Sequence, residues 1–252
     1  MIFAVRLRAA DNERKKGRYD KAAKDLDHAV NEARQPGAAL QDLALSLLLR
    51  GVNYRDWANT GARDKFGFAE QDYLELLRVK ATLGASGDVL NTKRLLGTLY
   101  VDWGSSAPNK LTEAERWLSE WLEESENGTP ERAQVLFTLA LALSAHGRRS
   151  EAEEPLTQAL AITDATEGED SIGSAVLHHE LGNFYWAEKR FDFAVQHLQQ
   201  AVQIMELIHG QADPHLEPTL AALGAVYKEM GEHDKGDEAL HRAVAIGKQI
   251  KR

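Results

Sequence analysis

The chain repeats its own spacing every 42 residues through its second half. When the sequence is aligned with itself at that offset, three copies between residues 133 and 246 fall into register. The matched columns include Leu139, Leu181 and Leu223, then Ala159, Ala201 and Ala243, and finally Ile162, Ile204 and Ile246. This pattern predicts an array of stacked units, because one unit of this length cannot bury its apolar face alone.

Each copy has the periodicity of a pair of helices. Between residues 198 and 205 the apolar side chains follow the i, i+3, i+4, i+7 pattern of an amphipathic helix with one buried stripe. The first helix of successive copies is predicted to end near Gly147, Lys189 and Gly231. Glycine at such a position favours the left-handed backbone conformation that terminates a helix.

Local capping signals mark several expected helix starts. Ser150 and Thr112 are each followed three residues later by glutamate, which is the spacing of a capping box. In the segment NGTP, we expect Thr129 to cap a helix and Pro130 to open its first turn. The same segment fits a glycosylation acceptor, an interpretation that the turn makes unnecessary.

The first half of the chain keeps the phase with insertions. Segments 49–58 and 95–104 share a G-x-x-Y-x-D-W core, and segment 17–30 matches the turn and second helix of the unit. The sequence therefore predicts six helix pairs with little or no strand. The approximate repeats are residues 3–36, 44–83, 90–127, 133–166, 175–210 and 217–250.

The acidic charge balance disfavours two classes of partner. The formal net charge is −9, and binding to nucleic acid or to an anionic membrane needs a basic surface. Residues 111–170 contain four Lys and Arg against fourteen Asp and Glu, which indicates either attraction to a basic partner or ordinary solvated helix faces. The sequence starts without a signal-peptide pattern and has no long apolar run, so we expect a soluble, cytoplasmic chain.

The units resemble tetratricopeptide repeats. The resemblance rests on the Leu-Gly pair, the following tyrosine and the later alanines at their family intervals, and the 42-residue period resembles the kinesin-light-chain-like variety. It implies an all-α, right-handed superhelical solenoid of about six antiparallel helix pairs, forming one domain over residues 1–252. It also implies an interaction scaffold that binds a peptide or protein segment in a concave groove.

In this family the first helix of each pair lines the groove at the second, fifth, ninth, twelfth and thirteenth places of the unit. Those places supply the predicted partner-binding residues, which are Asn183, Trp186, His179, Arg94, Phe137, Leu141, Asp102 and Asp56. An asparagine amide can clamp a peptide backbone, and a partly desolvated aromatic residue can anchor a partner. Alternatively, Trp186 packs between neighbouring helices. The two aspartates could bind a ligand cation or a basic side chain, or could simply reflect duplication of one unit.

No catalytic or metal-binding motif emerges from the sequence. A glycine-rich phosphate loop, a G-x-S-x-G nucleophile elbow and a dinucleotide fingerprint are all missing, and the chain has no cysteine. HHELGN has Asn183 where H-E-x-x-H would place its second histidine. We therefore expect no enzymatic activity, no cofactor and no metal.

Two other functions remain open at this stage. The last helix carries Val244 and Ile250, which could leave an apolar strip for a homo-oligomer through an uncapped C-terminal helix. That pattern favours a self-assembling structural module. The third possibility is a peptide-sensing regulatory domain of a larger protein.

Overall fold

A computed structural model describes residues 2–250, and within that range the chain forms helices and no strand. Three short 3₁₀ turns, Arg63–Lys65, Pro108–Lys110 and Arg149–Ala152, precede α4, α6 and α8. The α-helices are α1 (Ile2–Lys15), α2 (Tyr19–Ala33), α3 (Leu40–Asn59), α4 (Phe66–Thr82), α5 (Ser86–Gly104), α6 (Leu111–Glu124), α7 (Pro130–Ala145), α8 (Glu153–Glu167), α9 (Ile172–Ala187), α10 (Phe191–His209), α11 (Leu216–Glu229) and α12 (His233–Ile250). The prediction of six helix pairs is confirmed.

The helices divide into two compact units of three pairs each. The first unit comprises residues 1–125 and the second comprises residues 126–252. Within each unit, consecutive helices pack against one another along the chain. No helix in residues 2–250 has the length and apolar character that crossing a bilayer requires.

A column of glycines sets how closely the two helices of a pair approach. At each of these positions a Cβ atom would lie 2.5–2.7 Å from the facing side chain, well inside van der Waals contact. A larger residue would therefore push the helices apart. The facing pairs are Gly51 with Tyr73, Gly97 with Leu118, Gly182 with Leu198, and Gly224 with Leu240.

The turn between paired helices adopts a left-handed backbone at the predicted positions. Gly17, Gly147 and Gly231 have φ values of +73°, +81° and +82°. At the same point of the α9–α10 turn stands Lys189, with φ of +58°, and it is the one non-glycine residue with positive φ in the described part of the chain. A Cβ in this conformation is strained, so Lys189 is an exception to the pattern of its own repeat.

The first unit contains a buried ion pair. Arg50 on α3 donates from Nε and from its terminal nitrogen to the two carboxylate oxygens of Asp72 on α4, at 3.0 and 2.6 Å. Asp72 is only 2% exposed, and Arg50 also donates to Asp27 at 2.9 Å. The bidentate guanidinium therefore compensates the buried carboxylate only in part, since burial still raises the pKa of Asp72.

The capping predictions were right at one helix and wrong at two. The Thr129 hydroxyl accepts from the Arg132 amide and Pro130 opens α7, as expected. At α8 the predicted cap, Ser150, lies inside a 3₁₀ turn, and no side chain caps the helix. At α6 the helix already begins at Leu111, so Thr112 lies within its first turn. In both cases a 3₁₀ turn leads directly into the helix and removes the extended N-cap geometry that a capping box needs.

Candidate functional site

The predicted site residues are divided between the two units. Arg94, Asp56 and Asp102 lie on α3 and α5 of the first unit. The others, Phe137, Leu141, His179, Asn183 and Trp186, lie on α7 and α9 of the second unit. Only in the second unit do several of these predicted residues line a cleft in the described part of the chain.

One cleft of about 370 Å³ lies between the N-terminal halves of α7 and α9 and the end of α8. Phe137 and Val176 contribute its large apolar side chains, and Glu131 and Glu167 add carboxylates. Its lining also includes Pro130, Ala133, Gln134, Thr163, Gly173 and Leu177.

A smaller cleft, of about 180 Å³, lies further along the same two helices. Here Leu141 and Asn183 come together, and Leu141 is 38% exposed. The rest of the lining is Ala140, Ser144, Arg149, Leu156, Glu180, Phe184 and Ala187. Each cleft therefore combines an apolar side chain, Phe137 in one and Leu141 in the other, with polar groups.

The Asn183 side chain is oriented by a relay of hydrogen bonds to α11. Its amide nitrogen lies 2.9 Å from Nε2 of His179, and Nδ1 of that ring lies 3.0 Å from the hydroxyl of the buried Thr219. An amide NH₂ can only donate, so Nε2 accepts and Nδ1 carries the proton. Burial lowers the pKa of His179, which favours this neutral ring. The carbonyl oxygen of Asn183 remains for a ligand.

Trp186 makes one of several equivalent polar contacts between the first helices of neighbouring repeats. We call each such contact a rung and the series a polar ladder. Its indole Nε1 donates to Oε1 of Glu229 on α11 at 3.0 Å. In the first unit, Arg55 Nε donates to Asp102 Oδ2 at 2.6 Å. In each of these contacts, the donor is at the twelfth place of one repeat and the carboxylate is at the thirteenth place of the next repeat.

A third rung joins Arg14 of α1 to Asp56 of α3. Both predicted aspartates therefore bind a basic side chain of the chain itself, and Asp102 also accepts from Asn59 at 3.0 Å. Arg94 holds the side chain of Asn91, one turn earlier on α5, at 2.9 Å. The residues predicted in the first unit are thus engaged in contacts within the unit.

The rung is missing between α7 and α9. The corresponding places hold Ser144 and Ala187, which are too small to bridge the helices. Both residues line the smaller cleft. The cleft therefore occupies the position where other neighbouring first helices of the same unit are joined by a polar contact.

Glu180 is the site residue that the sequence analysis missed. It is half-buried on α9 and lines the smaller cleft, and its carboxylate has no hydrogen-bond or ion-pair partner among the side chains of residues 3–248, which the structure describes. Burial raises the pKa of its carboxyl. The usable signal was an acidic residue inside an otherwise apolar helix, three residues before Asn183 on the same face.

A histidine pair lies on the other side of α9. Nδ1 of His178 and Nδ1 of His197 on α10 are 2.9 Å apart, so one ring donates a hydrogen bond to the other. The Tyr185 ring stacks on His197. Burial, with a smaller contribution from His178, lowers the pKa of His197 to about 4. Both rings are therefore neutral near pH 7.

Comparison with known proteins supports the repeat assignment. The model of the tetratricopeptide repeat family matches residues 173–249. No curated protein matches the chain. Among solved structures, BtubC (BKLC) from P. vanneervenii is similar with a TM-score of 0.75 and 22% identity, covering 100% of this chain and 93% of that one.

Two further structures share the fold. MamA has a TM-score of 0.56 and 19% identity, with 78% of this chain and 96% of that chain covered. NprR in complex with its cognate peptide NprX has a TM-score of 0.54 and 14% identity, with 98% and 68% covered. Residues 173–249 thus match the tetratricopeptide repeat family model, and the helix pairs of residues 2–250 share the fold of these solved structures.

Proposed function

We propose that the second unit is a non-enzymatic interaction module that binds a peptide or an extended protein segment along α7 and α9. The observation that carries this proposal is the pair of clefts that follow one another along these helices. An extended ligand can place side chains and the adjoining backbone in two successive clefts. A flat helix face would bury much less of the ligand surface.

The chemistry of the clefts suits a peptide. Phe137 and Leu141 offer partly exposed apolar surface for anchor side chains, the usual basis of binding hot spots. Asn183 offers an oriented carbonyl oxygen to a backbone N–H. His179 already holds the Asn183 amide in place, so binding a ligand costs little further side-chain entropy at Asn183.

The comparison with NprR supports the proposal at the level of the fold. That protein was solved with its cognate peptide, so helical repeats of this kind can present a peptide-binding surface. The identity of 14% carries no residue of that site over to this chain.

The test uses selection from a random peptide library displayed on phage. The informative variant is Leu141→Glu, which places a charge in the smaller cleft at a partly exposed position. Its matched control is Leu207→Glu on α10, where the side chain is 69% exposed and lines neither α7–α9 cleft. We expect wild type and the control to enrich one sequence family that the Leu141→Glu variant does not enrich. Enrichment of the same family by all three proteins would refute the site.

Self-association is a second candidate function. Val244 on α12 is 52% exposed, although the side chain of Ile250, its predicted neighbour in an apolar strip, lies outside the described residues. Sedimentation equilibrium of wild type and Val244→Glu tests this alternative. A mass that rises with concentration in wild type alone would favour it over a monomeric binding module.

A further inference from the structure

We propose that the ligand of the second unit carries a lysine or arginine side chain whose cationic group pairs with Glu180 in the smaller cleft. This inference rests on the proposed function and specifies the chemical class of its ligand. It makes Glu180 a specificity-determining residue.

A contrast between the buried carboxylate of Asp72 and the half-buried carboxylate of Glu180 carries the first step. Asp72 accepts two hydrogen bonds from Arg50. Glu180 faces a cleft instead, and no described residue donates to it or forms an ion pair with it. Arg149 is the cation in the lining of that cleft, and it is exposed and makes no ion pair with Glu180.

The unpaired Glu180 carboxylate is poorly solvated in the half-buried cleft, so a positively charged group of a ligand would stabilise it most. Desolvation disfavours the ionised form, which is why the pKa of Glu180 is raised. A cation that enters the cleft restores the ionised form and pairs with it in surroundings where water screens little.

The other acceptors around the cleft match a cationic head group. The free carbonyl oxygen of Asn183 and the hydroxyl of Ser144 line the same space as Glu180. An ammonium has three donors and a guanidinium has five, so either group has enough donors for these three acceptors. Leu141 and Phe184 provide apolar surface for the methylene stem of such a side chain.

The missing rung explains why the space is open. In the first unit, arginine at the twelfth place of one repeat, Arg14 or Arg55, satisfies the carboxylate of the next. Between α7 and α9 the corresponding places hold Ser144 and Ala187, and both line the cleft. A basic side chain of the ligand would thus occupy the region in which other repeats place their own arginine.

The distribution of charge favours the same ligand. Residues 126–252 contain 11 Lys and Arg against 20 Asp and Glu, a balance of −9, whereas residues 1–125 contain 19 of each. The second unit therefore accounts for the entire net charge of the chain. Its negative potential attracts a basic segment and repels an acidic one.

The experiment compares wild type, Glu180→Gln and the matched control Glu169→Gln, whose carboxylate is exposed and outside both α7–α9 clefts. Each protein selects from the random peptide library, and the best wild-type peptide is then synthesised with its basic residue intact or replaced by glutamine. We expect wild type and the control to enrich Lys or Arg at one fixed position, and Glu180→Gln to lose that preference. Replacing the basic residue should weaken binding to wild type about tenfold and to Glu180→Gln less than about twofold.

The outcomes separate this inference from the proposed function. If wild type selects a sequence family without a basic position, or if Glu180→Gln keeps the preference, the inference is overturned while peptide binding stands. If wild type selects nothing, the proposed function itself fails. The tenfold loss on replacing the basic residue of the peptide is measured on wild-type protein, so that part of the test does not depend on how well the Glu180→Gln variant folds.

Discussion

Replacing Lys189 with glycine should stabilise the second unit. Lys189 occupies a left-handed turn position with φ of +58°, where Gly147 and Gly231 stand in the neighbouring repeats. The side chain is exposed. The substitution therefore removes backbone strain and little else.

The magnitude follows from two opposing effects. A non-glycine residue in the left-handed helical region costs about 1–2 kcal/mol. Glycine loses more conformational entropy on folding, which opposes the gain by about 0.5–1 kcal/mol. We expect a net increase in the free energy of unfolding of about 0.5–1 kcal/mol for Lys189→Gly. For a urea dependence of roughly 2 kcal/mol per molar, the midpoint should rise by about 0.3 M.

Urea titration followed by far-ultraviolet circular dichroism measures this shift, and two variants control for the mechanism. Lys189→Ala removes the side chain but keeps the Cβ atom, so it should bring no gain. Gly147→Ala introduces a Cβ at φ of +81° in otherwise open space, so it should cost about 1 kcal/mol. If Lys189→Ala stabilised the protein as much as Lys189→Gly, the strain argument would be refuted.

Three further predictions concern the cores of the units. The folded pKa of His197 is about 4 against 6.5 for a free ring, so the unfolded chain binds more protons between these values and stability falls as the pH drops through them. For this partly exposed ring we expect a loss of about 1–2 kcal/mol between pH 7 and pH 4 in urea titrations, and His197→Asn, which removes the ring facing His178, should flatten that dependence. Gly182→Ala would place a Cβ 2.5 Å from the buried Leu198 side chain and should cost about 1–3 kcal/mol, whereas an unchanged urea midpoint would show that the helices can separate freely. Asp72→Ala removes two of the three hydrogen bonds of the Arg50 guanidinium and leaves Asp27 as its remaining carboxylate partner, so it should cost about 2–3 kcal/mol in the first unit; a loss below about 1 kcal/mol would contradict the ion-pair argument.

Much of the fold could be predicted from the sequence because its signals repeat. Matched columns at a 42-residue spacing identified the helix pairs, and glycine at the turns identified the helix ends. The capping boxes at Ser150 and Thr112 failed because a cap depends on the backbone angles of one residue, and 3₁₀ turns override that local signal. Periodic signals average over many residues, whereas a cap does not.

The candidate site was predictable only in part, for a related reason. Helical spacing places Leu141 and Asn183 on first helices, but their common cleft depends on the small residues opposite them. The rung from Trp186 to Glu229 joins residues that are 43 apart in the sequence, and no local sequence signal predicts this contact. The isolation of Glu180 is still harder to foresee, because having no partner is a property of all the surrounding residues together.

The break in the polar ladder has a mechanical consequence for the second unit. Between α9 and α11, the hydrogen bonds of Trp186 and His179 fix the two helices in one register. The smaller cleft lies between α7 and α9 where the ladder is interrupted, so this junction lacks the polar contacts that join α9 to α11. We therefore expect α7 and α9 to shift relative to each other more easily than α9 and α11. A ligand that contacts both α7 and α9 should hold these two helices together. Its binding should therefore slow amide hydrogen exchange in α7 more than in α11.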